Sequence, residues 1–320
     1  MQNNQNSAAL EMVLNSLGVL REHFQDSNVQ EIMINGADDV FIERFGAINK
    51  IDIKLSEAQI RAAITVLASR AGKEIGPKSK DCILNERWNG VRVCAVLPPA
   101  SPNGPVMSIR KHSSVTFTLD DYVTNEVIEP ATRDILKGAI QDKKNILVVG
   151  GTSSGKTTFL KALIQEIDPS ERVITIEDLP ELDIKLPNRI AFETREDQGV
   201  TFTVLVKTSL RMRPDRIILG EVRDGAALDL LNAANTGHEG CIATLHANSS
   251  LEGLTRFEDL IMQAGSSIPL QSMRQRISTT FHYVIFMARK NGKRRLLEIL
   301  KLDGFDTTRQ EYFFTHVYKE

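Results

Sequence analysis

Gly150-Gly151-Thr152-Ser153-Ser154-Gly155-Lys156-Thr157 decides the fold. It fits the spacing G-x-x-x-x-G-K-[ST], in which glycines let the backbone curl until its N–H groups point at phosphate oxygens. Residues 145–149 before it form an apolar strand pattern. Residues 158–167 after it repeat at helical spacing and stop at Asp168-Pro169. The bare spacing arises by chance in about one chain of this length in a hundred, so a strand entering it and a helix leaving it sharpen the reading. Lys156 then brings a cation to the β- and γ-phosphates of a nucleotide, and Thr157 offers its hydroxyl to Mg²⁺. Thr158 continues the cradle, and ATP with Mg²⁺ is the expected ligand.

Outward from this loop, apolar strand patterns alternate with helix patterns. Strands are expected at 145–149, 172–176, 189–192, 216–219 and 241–245, and helices at 157–167, 202–210, 226–234 and 251–263. Such alternation predicts a largely parallel sheet covered on both faces. Asn291-Gly292 marks a hairpin between strands at 282–289 and 293–300. Residues 1–112 read differently, as a smaller α+β domain. Strand patterns stand at 29–34, 40–44, 49–53 and near 106–111, and Ser56 with Gln59 reads as a capping box opening a helix that Gly72 ends. Asn89-Gly90 makes a hairpin of 82–88 and 91–97, placing Arg87 opposite Arg92 and offsetting Cys82 from Cys94. Residues 113–130 show no clear period and read as a linker, leaving 131–320 as the second domain.

The chain of 320 residues carries 39 basic and 41 acidic side chains, a net charge of -2. That balance argues against a protein that coats nucleic acid, and no direct nucleic-acid binding is expected. Three cysteines form no disulfide framework. No apolar run reaches the roughly 18 residues of a membrane span, and the start lacks the basic region of a signal peptide. A cytoplasmic location is expected, with at most peripheral membrane contact. Leu10, Val13, Leu14, Leu17, Leu20 and Phe24 repeat at helical spacing. This helix either packs on its own domain or lies on a membrane surface, and its few basic residues favour packing.

Hydrolysis needs more than a cradle: a water must be oriented and charge on the departing phosphoryl group stabilised. Two acids follow strand patterns, Glu177 (with Asp178 beside it) and Glu221. Ligands in doubly wound sheets sit at the carboxyl ends of strands, so one acid suits polarising water and the other suits Mg²⁺ through its water shell. Either could instead be a helix-start acid, and Asp178 reads as a capping residue. His238, Cys241 and His246 lack a fourth ligand for zinc. His238 and His246 suit hydrogen bonds to a γ-phosphate, or a buried structural role.

Several boxes together resemble the ATPases of type II and type IV secretion. The loop 150–157 resembles their Walker A, and Ile174-Thr-Ile-Glu-Asp-Leu-Pro-Glu181 their Asp box, which implies that Glu177 is the catalytic base. Leu210-Arg-Met-Arg-Pro-Asp-Arg-Ile-Ile-Leu-Gly-Glu221 resembles Walker B, and Thr236-Gly-His-Glu-Gly-Cys-Ile-Ala-Thr-Leu-His-Ala-Asn248 the His box. The resemblance spans about half of the chain, residues 84–247. It implies a RecA-like P-loop ATPase domain of α/β class with a mostly parallel sheet, preceded by the smaller α+β domain. Length and the short first domain resemble the conjugative-transfer (TrbB-type) group. Departures are Leu179, where many relatives have Asp, and a Walker B without a paired Asp-Glu, which weakens Glu221 as a metal ligand.

The resemblance further implies a homo-oligomer, a hexamer, that powers secretion, conjugative DNA transfer or pilus assembly with inner-membrane partners. A pilus-retraction motor or a nucleotide-dependent scaffold with little turnover are the alternatives. Gly90-Val-Arg92 and Ser108-Ile-Arg110 match positions from which this family's first domain reaches the nucleotide, so Arg92 and Arg110 are expected to close on ATP from there. Arg87 facing Arg92 would itself favour a nearby anion. Arg211, more than Arg213, is the candidate arginine that approaches the phosphates, against a plainer role at a helix end.

Overall fold

The computed structural model describes residues 13, 17–44, 47–76, 79, 81–88, 91–111, 116–290 and 293–320. The chain divides into two compact units, residues 1–115 and 116–320.

In the first unit a 3-10 turn at Gly18–Leu20 leads into α1 (Arg21–Gln25), followed by β1 (Val29–Ile34), β2 (Val40–Arg44), β3 (Ala47–Ile51), α2 (Glu57–Arg70), β4 (Ile83–Trp88), β5 (Val91–Val96) and β6 (Val106–Lys111). The strands form one antiparallel sheet in the order β3-β2-β1-β6-β5-β4. Apolar residues at every second position (Ile32 and Ile34, Val93 and Ala95, Met107 and Ile109) put one face against Ile60, Ile64 and Leu67 of α2. Ser56 and Gln59 form the capping box, with Gln59 N–H donating to Ser56 Oγ at 3.2 Å and Ser56 N–H to Gln59 Oε1 at 2.8 Å. Gly72 adopts φ +70° just past the helix. Val13, Leu17 and Leu20 are buried in this core, so the described part of the first apolar repeat packs on its own unit. Leu10 and Leu14 lie outside the described residues, as does the turn Asn89-Gly90. The hairpin register around that turn pairs Arg87 with Arg92, and Cys82 and Cys94 are free.

The second unit begins earlier than a structureless linker to residue 130 allows. Thr118 and Asp121 form a reciprocal cap on α3 (Leu119–Thr124), and Pro130 opens α4 (Pro130–Gln141). At six residues α3 is too short to display a helical period. Then follow β7 (Ile146–Gly150), α5 (Lys156–Ile164), β8 (Val173–Glu177), β9 (Arg189–Glu193), α6 (Phe202–Ser209), β10 (Arg216–Leu219), α7 (Ala226–Asn235), β11 (Ile242–His246), α8 (Ser250–Gln263), α9 (Leu270–Thr280), β12 (Tyr283–Lys290), β13 (Lys293–Asp306) and β14 (Glu311–Lys319). Neither α9 nor β14 shows in the apolar pattern. The first is mostly polar, burying Met273 and Ile277 among Gln, Ser and Arg. The second leaves side chains on both faces partly exposed.

The eight strands run β14-β13-β12-β7-β11-β10-β8-β9. From β12 to β9 every pairing is parallel, and β12-β13-β14 is an antiparallel meander on one edge. The central strands β7, β8 and β10 are buried on both faces, which is why they read as continuous apolar runs. Leu136, Ile140, Phe159 and Leu163 of α4 and α5 cover one face. Val206, Leu230, Phe257 and Ile277 of α6 to α9 cover the other.

Candidate nucleotide site

β7 ends at Gly150, where the chain must pass β12 closely. A Cβ on Gly150 would collide with the Met287 carbonyl oxygen and lie 2.7 Å from Ser154 Oγ. Ser153 (φ 57°) and Gly155 (φ 96°) then turn left-handed and deliver the chain into α5, with Gly155 as N-cap. The first-turn N–H groups of a helix have no helical acceptor, and the helix dipole makes that end positive. Lys156, Thr157 and Thr158 supply those groups here.

Lys156 is buried, and its Nζ donates to the carbonyls of Gly150 and Gly151, both at 2.7 Å. Burial lowers its pKa to about 8, with Glu221 opposing. The same Nζ lies 3.4 Å from His246 Nδ1, because the parallel register sets His246 beside Gly150. An ammonium has no acceptor, so Nδ1 must accept and the ring proton sits on Nε2. That Nε2–H reaches Glu221 Oε1 at 3.2 Å. Burial and the neighbouring Lys156 hold the imidazole pKa down, against the pull of Glu221. Glu221 is also gripped through Oε2 by Arg223 Nη2 at 2.7 Å.

Glu177 closes β8 one strand further along. It is 3% exposed, and its Oε1 accepts the backbone N–H groups of Glu181 (2.9 Å) and Leu182 (3.0 Å). Burial pushes its pKa to about 7, helped by Glu181 and opposed by those N–H groups and Lys161. Gly220, just before Glu221, leaves room for it, since a Cβ there would sit 3.0 Å from Glu177 Cγ. A carboxylate near neutrality is poised to take a proton from water.

The structure therefore brings Lys156, His246 and Glu221 into one chain of contacts, with Glu177 packed against the glycine before Glu221. It does not bring His238 there. His238 precedes β11 and His246 ends it, so they stand at opposite ends of a strand that is itself on the order of 13 Å long. The His238 carbonyl instead accepts from Cys241 Sγ at 3.2 Å. Arg211 is exposed, and its Nη1 donates to the Lys207 carbonyl at 3.3 Å, the plain helix-end role. In the first unit the registers place Arg87, Arg92 and Arg110 directly across β4, β5 and β6, one row of three arginines on one sheet face. Two residues of the second unit escape the sequence patterns. Arg294 Nε donates to the Ser153 carbonyl at 3.3 Å, and its Cδ would lie 3.2 Å from a Cβ on Gly155. Arg223 stands two residues after Glu221. The basic run at 289–295 is a sequence signal for the first, and the second lies past the end of β10, where no strand period reaches it.

A glycine-rich turn between a central parallel strand and a helix, with acids at or just past the carboxyl ends of two other parallel strands, defines an α/β ATPase fold of the P-loop class. The chain belongs to the type II/IV secretion system protein family, whose model matches residues 15–290. It is 35% identical over 302 residues to the conjugal transfer protein TrbB of Rhizobium radiobacter, covering 92% of this chain and 89% of that one. Among solved structures it is similar to the VirB11 ATPase of the Brucella suis type IV secretion system in complex with sulphate, at 27% identity and a TM-score of 0.51, covering 94% of this chain and 96% of that one. The Legionella pneumophila ATPase DotB shares the fold at a TM-score of 0.66 and 24% identity, covering 89% of this chain and 80% of that chain.

Proposed function

We propose that this chain hydrolyses ATP to power a type IV secretion or conjugative-transfer machine. One observation carries the reading: the loop lysine, His246 and Glu221 touch in sequence, and a buried carboxylate, Glu177, ends the next strand of the same sheet edge. The loop N–H groups and Lys156 would hold the β- and γ-phosphates. The oxygen donors present, the Thr157 hydroxyl and the Glu221 carboxylate, fit a hard cation, with Glu221 acting through the cation's water shell. A bound Mg²⁺ would supply charge neutralisation on the phosphate oxygens. Glu177 would orient the attacking water and accept its proton. His246, with its proton fixed on Nε2, would pass the state of Lys156 to Glu221. The arginine row supports a narrower proposal, that Arg92 and Arg110 serve an anion, a nucleotide phosphate being the one the resemblance implies.

Names borne by similar proteins support the machine: a conjugal transfer protein and a type IV secretion system ATPase. A hexameric ring at the cytoplasmic face of the inner membrane belongs to the same proposal. Among the described residues no helix is long and apolar enough to cross a membrane, and peripheral attachment belongs to the same proposal. Steady-state turnover of the purified chain tests the reading. ATP hydrolysis should be Mg²⁺-dependent and vanish in Lys156→Ala, whereas turnover that survives this substitution contradicts it. Mass measurement with a nonhydrolysable ATP analogue tests the ring.

A further inference from the structure

The polar side chains along the carboxyl edge of the second sheet follow one another in strand order. Lys156, which opens the helix that follows β7, meets His246 at the end of β11 (3.4 Å), and His246 meets Glu221 after β10 (3.2 Å). Arg223 donates to Glu221 Oε2 through Nη2 (2.7 Å) and to Asp178 Oδ2, after β8, through Nη1 (3.5 Å). Asp178 Oδ1 accepts from Thr194 Oγ1 after β9 (3.0 Å), and Thr194 N–H donates to the Glu177 carbonyl (3.0 Å). Asp178 is thus more than a cap.

Arg223 is where the two halves of this row join. Val222 between it and Glu221 is buried, with its N–H donating to the Thr244 carbonyl at 2.8 Å. The 2.7 Å hydrogen bond between them puts the Glu221 and Arg223 side chains on the same side of the chain. A guanidinium is a rigid planar fork able to serve two carboxylates at once, whereas an ammonium is a point charge on a flexible stem. We propose that Arg223 is a positioning residue that acts through Glu221. Its fork aims the Glu221 carboxylate at His246 and ties it to Asp178 and Thr194, so that events at the phosphate loop are carried to the end of β9. This rests on the functional reading above.

The role predicts a split in kinetics. The loop and Lys156 bind nucleotide without Arg223, so affinity should hold while the chemical step suffers. In Arg223→Ala, kcat should fall about tenfold or more with KM for ATP within about threefold. Arg223→Lys, able to hold one carboxylate, should recover part of the loss. Asp178→Asn alone should cost about fivefold in kcat, but less than about twofold in the Arg223→Ala background, because partners in one network are not additive. Melting temperatures confirm folding, and if Arg223→Ala does not fold, Arg223→Lys and Asp178→Asn decide. An additive cycle, a raised KM at unchanged kcat, or wild-type kcat in both Arg223→Lys and Asp178→Asn overturns the role. Lys156→Ala, run alongside, separates the two readings. If it abolishes turnover and the cycle is additive, only the Arg223 role falls; if turnover survives it, the functional reading falls and this inference with it.

Discussion

Both ends of the parallel sheet carry a knot of charges, and the two are built differently. At the amino end Arg216, the first residue of β10, is fully buried. Its Nε and Nη2 reach the two oxygens of Glu171 at 2.7 and 2.9 Å, Nη2 also reaches the Ile140 carbonyl at 2.6 Å, and Lys143 adds a contact to Glu171 at 3.4 Å. Burial pushes the Glu171 carboxyl up, but Arg216 and Lys143 outweigh it and hold it below its ordinary value. At the carboxyl end Lys156 leans on carbonyls of its own loop, His246 is half exposed, and burial moves Lys156 and Glu177 towards neutrality. The amino-end charges stabilise each other. Those at the carboxyl end are shifted by burial instead, as groups in functional sites often are.

The largest break in this comparison comes from Lys156→Ala. It should remove measurable turnover, a fall of at least about 10²–10³, the scale of losing a group that stabilises transition-state charge, and leave the melting temperature near or above wild type. A coupled assay of phosphate release with a melting curve reads both. Glu171→Ala should do the reverse. Leaving Arg216 buried without its carboxylate should cost about 3–5 kcal/mol of stability, with turnover per folded molecule unchanged. Denaturant unfolding compared with active-site titration checks it.

A subtler test uses pH. Glu177 ionises at about 7 in the folded chain against 4.5 ordinarily, so kcat/KM should rise through pH of about 7 as the base form appears. The stability effect has the opposite sign. A raised carboxylate pKa costs nothing below the ordinary value and costs progressively more as pH rises through the folded one. Glu177→Gln should therefore melt above wild type at pH 8 and lose that advantage towards pH 4. Arg294→Ala should be the mildest change, raising KM for ATP about two- to tenfold, the scale of one hydrogen bond to the loop, with little change in kcat.

The comparison also shows what the sequence could reveal. The loop, Glu177, Glu221 and His246 lie at strand ends, and fully buried parallel strands announce themselves as apolar runs, so that edge was legible. His238 and His246 sit in one motif, yet a five-residue strand separates them; order along a chain does not say which end of a strand faces a site. Arg294 stands 141 positions from its partner Ser153, and only the β12 crossover brings it there. Helix α9 and strand β14 were hidden because polar side chains interrupt the periods by which helices and strands are read.

Everything proposed for this edge turns on Glu177 as the base of an ATP-hydrolysing site. Its most direct test is single-turnover hydrolysis by Glu177→Gln alongside equilibrium binding of a fluorescent ATP analogue. Affinity should stay within about threefold of wild type while the hydrolysis rate falls by about 10²–10⁴. An unchanged hydrolysis rate at unchanged affinity would contradict it.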